Sequence, residues 1–147
     1  MKTTIRLTLI LIMIVLLVGC SSNQMTQTSQ PTPTELPQPE AGKASLVGQI
    51  TKDGNPYSNT TVRLAEVFRN TDNEAAFALN EATSPSTISD SQGYYLFANV
   101  NAGEYVIVVG SLNTNYQIDS DSNSVAVVRK LEPDKILQVE TINVDLP

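Results

Sequence analysis

The single cysteine of this 147-residue chain, Cys20, closes the run Leu17-Val18-Gly19-Cys20 at the end of an apolar stretch. A thiol so placed, with a small residue before it, can be converted to a diacylglyceryl thioether; cleavage ahead of Cys20 then frees an amino group for a further acyl chain. Two or three hydrocarbon tails, at about 0.8 kcal/mol per buried CH2, anchor a protein stably where one tail does not. The alternative is an ordinary secretory signal whose cleavage site happens to carry a cysteine. Against it, a free thiol near a mature secreted N-terminus is an oxidation liability.

The rest of the chemical inventory is thin. The sequence has no histidine and no tryptophan, so neither a Ser-His-Asp nor a Cys-His arrangement can be built. Zinc sites of the His/Cys type and disulfides within the chain are likewise ruled out. The run Asp119-Ser120-Asp121-Ser122-Asn123-Ser124 places oxygen ligands at alternate positions, like the start of a calcium loop. However, Ser124 stands where the turn glycine belongs, and Lys130 where a bidentate glutamate belongs. A solvated acidic loop is the expectation, with no metal and no cofactor. Glu66, Asp90 and Glu104 are carboxylates of the kind acid-base catalysis uses, but no spacing brings them together, and the chain is read as not an enzyme.

Lys2 and Arg6 precede an apolar segment, residues 7–18, interrupted only by Thr8. Twelve residues are too few for a bilayer core of about 30 Å, so residues 1–19 are expected to be a signal peptide of the kind found in bacterial lipoprotein precursors, with Cys20 as the lipidated residue. Ser21 rather than aspartate follows the cysteine, which resembles outer-membrane sorting in a double-membraned cell; in a single-membraned cell the anchor would lie in the outer leaflet. Cleavage removes two basic residues and no acidic ones, making the mature chain more acidic than the −6 of the whole sequence. An acidic chain disfavours nucleic acid and anionic headgroups as partners. Residues 20–43 are rich in Ser, Thr, Gln and Pro and cannot bury enough apolar area to offset their ordering entropy. They are expected to form a disordered, partly polyproline-like tether.

From residue 44 to residue 147 the texture is one of short alternating strands separated by turn residues. Leu46, Gly48 and Ile50 alternate before the turn Asp53-Gly54-Asn55-Pro56; Val62 and Leu64 alternate with Thr61 and Arg63. Tyr95 and Phe97 alternate with Tyr94 and Leu96, and after Asn101-Ala102-Gly103 come Tyr105, Ile107 and Val109 on one face and Val106 and Val108 on the other. Residues 125–128 and 137–146 supply the last strands. About seven strands in roughly 100 residues is the pattern of an all-β, antiparallel seven-stranded sandwich. In the final stretch Leu137 and Val139 are odd-numbered, whereas Ile142, Val144 and Leu146 are even-numbered. The phase slips near Glu140 and Thr141, which predicts a bulge or a change of sheet there.

Asp90-Ser91-Gln92-Gly93-Tyr94-Tyr95-Leu96-Phe97, then Val100 and Gly103-Glu104-Tyr105-Val106-Ile107, resembles the carboxypeptidase regulatory-like family. Gly48-Gln49-Ile50, Gly54-Asn55-Pro56 and Val62-Arg63-Leu64 fall at that family's spacings, with Asn59 where glycine is usual. The resemblance covers roughly residues 44–111 and implies a prealbumin-like sandwich in which Gly93 and Gly103 serve turns while Tyr95, Phe97 and Tyr105 serve the core. It also brings pilin-type adhesin modules as neighbours, in which a first-strand lysine and a last-strand asparagine form an isopeptide bond. Gly48 stands in the lysine's place, so no such bond is expected here, and Lys52 with Asn143 is the pair to check.

Residues 69–89 are longer than the family's usual connection. Good helix formers over 72–82, behind a possible Asn73 cap, predict a helical turn or two resting on the sandwich through Phe77 and Leu79. Long loops often carry function, which makes this insertion a candidate partner surface. The functional expectation is a lipid-anchored envelope protein, facing outward or into the periplasm, that binds an envelope protein or glycan. The alternative is a structural or adhesive spacer in a surface assembly. Only Tyr57, Tyr94 and Tyr116 could serve as an aromatic platform for a glycan, which tilts the expectation towards a protein partner.

Overall fold

The computed structural model describes residues 36–147. Cys20, the signal peptide and most of the tether lie outside the described residues. The chain from there on is all strand and turn: β1 (Lys43–Lys52), β2 (Asn55–Pro56), β3 (Thr61–Arg69), β4 (Ala75–Ala78), β5 (Ser86–Ile88), β6 (Tyr94–Asn101), β7 (Gly103–Gly110), β8 (Tyr116–Ile118), β9 (Val128–Leu131), β10 (Ile136–Gln138) and β11 (Ile142–Val144).

These segments fall into seven lanes. In one sheet β1 is central, with β2 and β6 along one edge and β10 and β11 along the other; in the second sheet β3 and β7 are central, flanked by β4 and β5 on the β3 side and by β8 and β9 on the β7 side. All pairings are antiparallel except those of β10 and β11, which run parallel to β1. The two sheets enclose a core that includes Leu46, Ile50, Val62, Leu64, Tyr95, Phe97, Ile107, Val109, Leu131 and Val144. Strand β7 is buried on both faces, because Val106 and Val108 belong to a second apolar cluster on the outer face of its sheet, with Ala65, Val67, Ile118 and Val128. That is why Gly103–Gly110 reads as a nearly continuous apolar run rather than a plain alternation.

The turns follow the residues that can make them. Asp53 and Gly54 both take positive φ, 52° and 76°, joining Lys52 and Asn55 in a two-residue hairpin, the conformation that matches strand twist. Asn59 also has positive φ, 54°, tolerable because asparagine visits this region more readily than most residues. Gly93, at φ 76°, is held so close to β1 that a Cβ would collide with the Ile50 carbonyl oxygen. Gly103, in contrast, has no positive φ, so the turn demands nothing of it that other residues resist.

The phase slip in the last strand is a one-residue register shift. Val47 pairs with Gln138 but Ile50 with Ile142, so one extra residue is accommodated between β10 and β11 along the same edge of β1. It is a bulge, not a change of sheet. The helix expected over 72–82 is absent, and β4 stands there instead, paired residue for residue from Glu66 to Arg69 of β3. Alanine is a weak strand former, but in sheets the context outweighs propensity, and the long β3 supplies the ladder.

Candidate functional site

The inner face of β3 runs Val62, Leu64, Glu66, Phe68, and only its first half is buried. Beyond Leu64 the sandwich opens, and an inward-pointing carboxylate and an exposed ring replace aliphatic core. Opposite them β6 carries its own irregularity. The β1–β6 register shifts between Ala44 and Leu46, with Asn99 at φ 57°, the geometry of a bulge. Between these two edges lies a cleft of about 640 Å³ lined by Lys43, Glu66, Phe68, Asn80, Thr83, Ser84, Asn99, Asn101 and Tyr105 among others.

Each wall is held from behind. Lys43 Nζ donates to Asn101 Oδ1 at 2.7 Å, and the Tyr105 hydroxyl donates to the Asn101 carbonyl oxygen at 3.1 Å. Asn99 Oδ1 accepts from the Glu40 amide at 2.8 Å, while its amide nitrogen donates to the Glu40 carboxylate at 3.1 Å. The segment 79–85 is a closed turn: the Asn80 amide donates to Ser84 Oγ, and Asn80 Oδ1 accepts from the Ala82 amide, both at 2.9 Å. Burial, reinforced by the Glu66 charge, pushes the Tyr105 phenol up from its ordinary pKa. The cleft thus gathers amide, hydroxyl and opposite charged groups around one exposed ring, Phe68, at 53% exposure.

The other residues singled out from sequence are held apart. Glu104 is paired with Arg69 at 2.6 Å, and the hydrogen bond from that guanidinium, ahead of its charge, holds the carboxyl below its usual range. Asp90 Oδ1 accepts from the amides of Gln92 and Tyr94, closing the turn before β6. With Glu66 at the cleft, the three carboxylates sit in three places. In the calcium-like run, Asp119 pairs with Arg129 at 2.8 Å and Asp121 Oδ1 accepts from the amides of Asn123 and Val125, an Asx-type turn. Asn143 sits opposite Thr51 and accepts from its hydroxyl at 3.1 Å. Lys52, one residue on and therefore facing the other side of the strand, lies over the Tyr57 ring at 5.8 Å. Gly48 faces Tyr95, whose hydroxyl would collide with a Cβ there. Tyr94 and Tyr116 are both about half exposed but belong to different sheets, so they make no common platform.

Sequence reading flagged the 69–89 insertion but missed the cleft it helps to wall, since Lys43 and the 98–101 bulge reach it from distant parts of the chain. An odd residue was visible: Glu66 sits where the alternation of Val62 and Leu64 demands another apolar side chain.

No family model matches this chain, and no curated protein does. Among solved structures, a candidate carbohydrate-binding protein from Pseudomonas aeruginosa is similar at 13% identity, covering 73% of this chain and 92% of that one, with a TM-score of 0.41. The dioxygenase domain of a dioxygenase carbohydrate-binding fusion from Streptomyces sp. SirexAA-E is similar at 10% identity over 82% and 97% of the two chains, TM-score 0.42. The major pilin subunit of Bacillus cereus is similar at 12% identity over 67% of this chain and 29% of the pilin, TM-score 0.37. These likenesses are of fold. The expectation that the chain is not an enzyme is corrected: a lipoxygenase and dioxygenases are among the similar solved structures, and the chain is not read as noncatalytic.

Proposed function

We propose that the protein is a lipoprotein anchored through Cys20, a member of the carboxypeptidase regulatory-like group, whose sandwich stands outside the membrane and binds a segment of envelope glycan in the cleft between the 79–85 turn and the β6 bulge. The observation that carries this reading is the cleft's composition. Asn80, Thr83, Ser84, Asn99 and Asn101 line the same cleft as Phe68, and such a set of amides and hydroxyls with an apolar ring suits the hydroxyls and C–H faces of a sugar. Neither nucleic acid nor anionic headgroups suit an acidic chain.

Two measurements separate anchoring from binding. With Cys20→Ala, incorporation of radiolabelled palmitate should cease and the precursor should stay uncleaved at this site; a processed, membrane-retained mutant would refute the anchor. Titration of the full chain with N-acetylglucosamine oligomers should show saturable binding that Phe68→Ala weakens at least tenfold while the melting temperature stays put. Binding indifferent to Phe68→Ala would move the site elsewhere, and no binding by any wall-derived glycan would leave the spacer reading.

A further inference from the structure

Strand β4, Ala75-Ala76-Phe77-Ala78, ends its sheet: it pairs with β3 and, among the described residues, with no strand beyond. All four residues are exposed. The Asn70 amide donates to the Glu74 carbonyl at 3.1 Å, which makes Asn70 and Glu74 a hydrogen-bonded pair in the same register. Since such pairs alternate in an antiparallel ladder, Ala76 and Ala78 turn their amides towards β3, whereas Ala75 and Phe77 turn theirs outward. Natural edges are usually blunted by lysines, prolines, bulges or inward-pointing charges. None of these interrupts β4, and three of its four side chains are single methyl groups that leave the outward backbone uncovered.

The strand is also held ready. Asn70 Oδ1 accepts from the amides of Asp72 and Glu74, Asn70 Nδ2 donates to the Glu74 carboxylate, and Arg69 donates to the Asn73 carbonyl oxygen. A strand ordered in advance loses less entropy on binding.

Charge decides what fits it. Asp72 and Glu74 stand at one end and Glu81 at the other, and no lysine or arginine occurs between Arg69 and Arg129. Arg69 itself is engaged by Glu104. A second copy pairing antiparallel with Ala75 opposite Phe77 would set the Asp72 and Glu74 end of each β4 beside the Glu81 end of the other, bringing like charges near one another.

We propose that the outer edge of β4 is a docking site for an extended peptide segment of a partner protein, apolar at its centre and basic at both ends, which adds a strand through the N–H and C=O groups of Ala75 and Phe77. Strand addition of this kind takes its affinity from main-chain bonds and its specificity from flanking side chains. The site adjoins the glycan cleft, which Ala78 and the 79–85 turn help to wall, but Ala75 and Phe77 do not line that cleft.

The test uses the full chain in detergent micelles, labelled for amide exchange, and the synthetic peptide Lys-Lys-Val-Thr-Val-Thr-Val-Lys-Lys, with a glutamate-for-lysine version as control. The basic peptide should slow exchange at Ala75 and Phe77, and the acidic control should not. Ala75→Pro removes an outward N–H without touching the β3 ladder, a position at which edge strands accept proline, and should weaken binding at least tenfold. If that variant fails to fold, Asp72→Lys with Glu81→Lys serves instead, with the same tenfold loss expected and a shallower salt dependence. Equal binding of both peptides, protection located elsewhere, or a β4-dependent dimer in place of peptide binding would each overturn the proposal.

Discussion

At the scale of single residues, two tyrosines show how alike side chains differ once packed. Tyr95 is 2% exposed, meets Phe97 edge-on at 6.1 Å between centroids, and its hydroxyl finds no hydrogen-bond partner among the described residues. Burial, and after it the nearby Asp119 charge, drive its phenol far above the ordinary range. Tyr105 is nearly as buried, yet its hydroxyl has the Asn101 carbonyl. The expected outcomes therefore diverge. Tyr105→Ala should cost about 3–5 kcal/mol as a lost buried aromatic. Tyr95→Phe should cost nothing or stabilise by up to about 1 kcal/mol, because it removes a desolvated, unpaired group. Urea melts measure both, and a Tyr95→Phe loss above about 1 kcal/mol would reveal a partner for that hydroxyl. The burial of both rings was legible in the alternation, since each shares parity with its apolar neighbours. The orphaned hydroxyl was not, because it depends on Gly48 across the ladder.

At the scale of elements, the turn ending at Gly93 ties β6 to β1: the Ile50 amide donates to the Gly93 carbonyl at 2.8 Å. Gly93→Ala would force an alanine into a left-handed conformation and drive its methyl into the Ile50 carbonyl. A loss of about 1–3 kcal/mol or more is expected from the backbone conformation alone, measured by denaturant titration; a change within 0.5 kcal/mol, roughly the scatter of neutral surface substitutions, would contradict the turn geometry. This turn and the register slip of the last strand were both readable locally, one from Asp-x-x-Gly spacing and the other from a change of parity. Strand β4 was not. Its alanines, with Glu74, Leu79 and Glu81 around them, favour a helix locally, and only the pairing with β3, from the Arg69–Ala75 pair to Glu66–Ala78, makes the strand extended.

At the scale of the whole molecule, acid should loosen the sandwich. The carboxyls of Glu104 and Glu132 are held low chiefly by hydrogen bonds from Arg69 and Lys135, and that of Asp121 by backbone amides. A folded-state pKa below the unfolded one means that the unfolded chain takes up protons first. The stabilisation is then present above the unfolded values, about 3.9 for Asp and 4.3 for Glu, and is lost as pH falls through the lower folded ones. The urea midpoint should accordingly drop between about pH 5 and pH 2, and Asp121→Asn should flatten that slope. A midpoint independent of pH across this interval would show that these contacts do not hold in solution.

Much of this protein was determined by sequence alone: its all-β class, its seven-lane count, the faces of β1, β3, β6 and β7, and the slip near Thr141. All are local properties, because side-chain parity along a strand is set by backbone geometry whatever the strand packs against. The parallel placement of the last strand beside the first, the conversion of 75–78 into an edge strand, and the assembly of a cleft from Lys43, Glu66, Asn80 and Asn101 were decided only by tertiary structure. Each depends on which distant segment supplies the ladder or the opposite wall, and partner choice at long range leaves no periodic trace in the sequence.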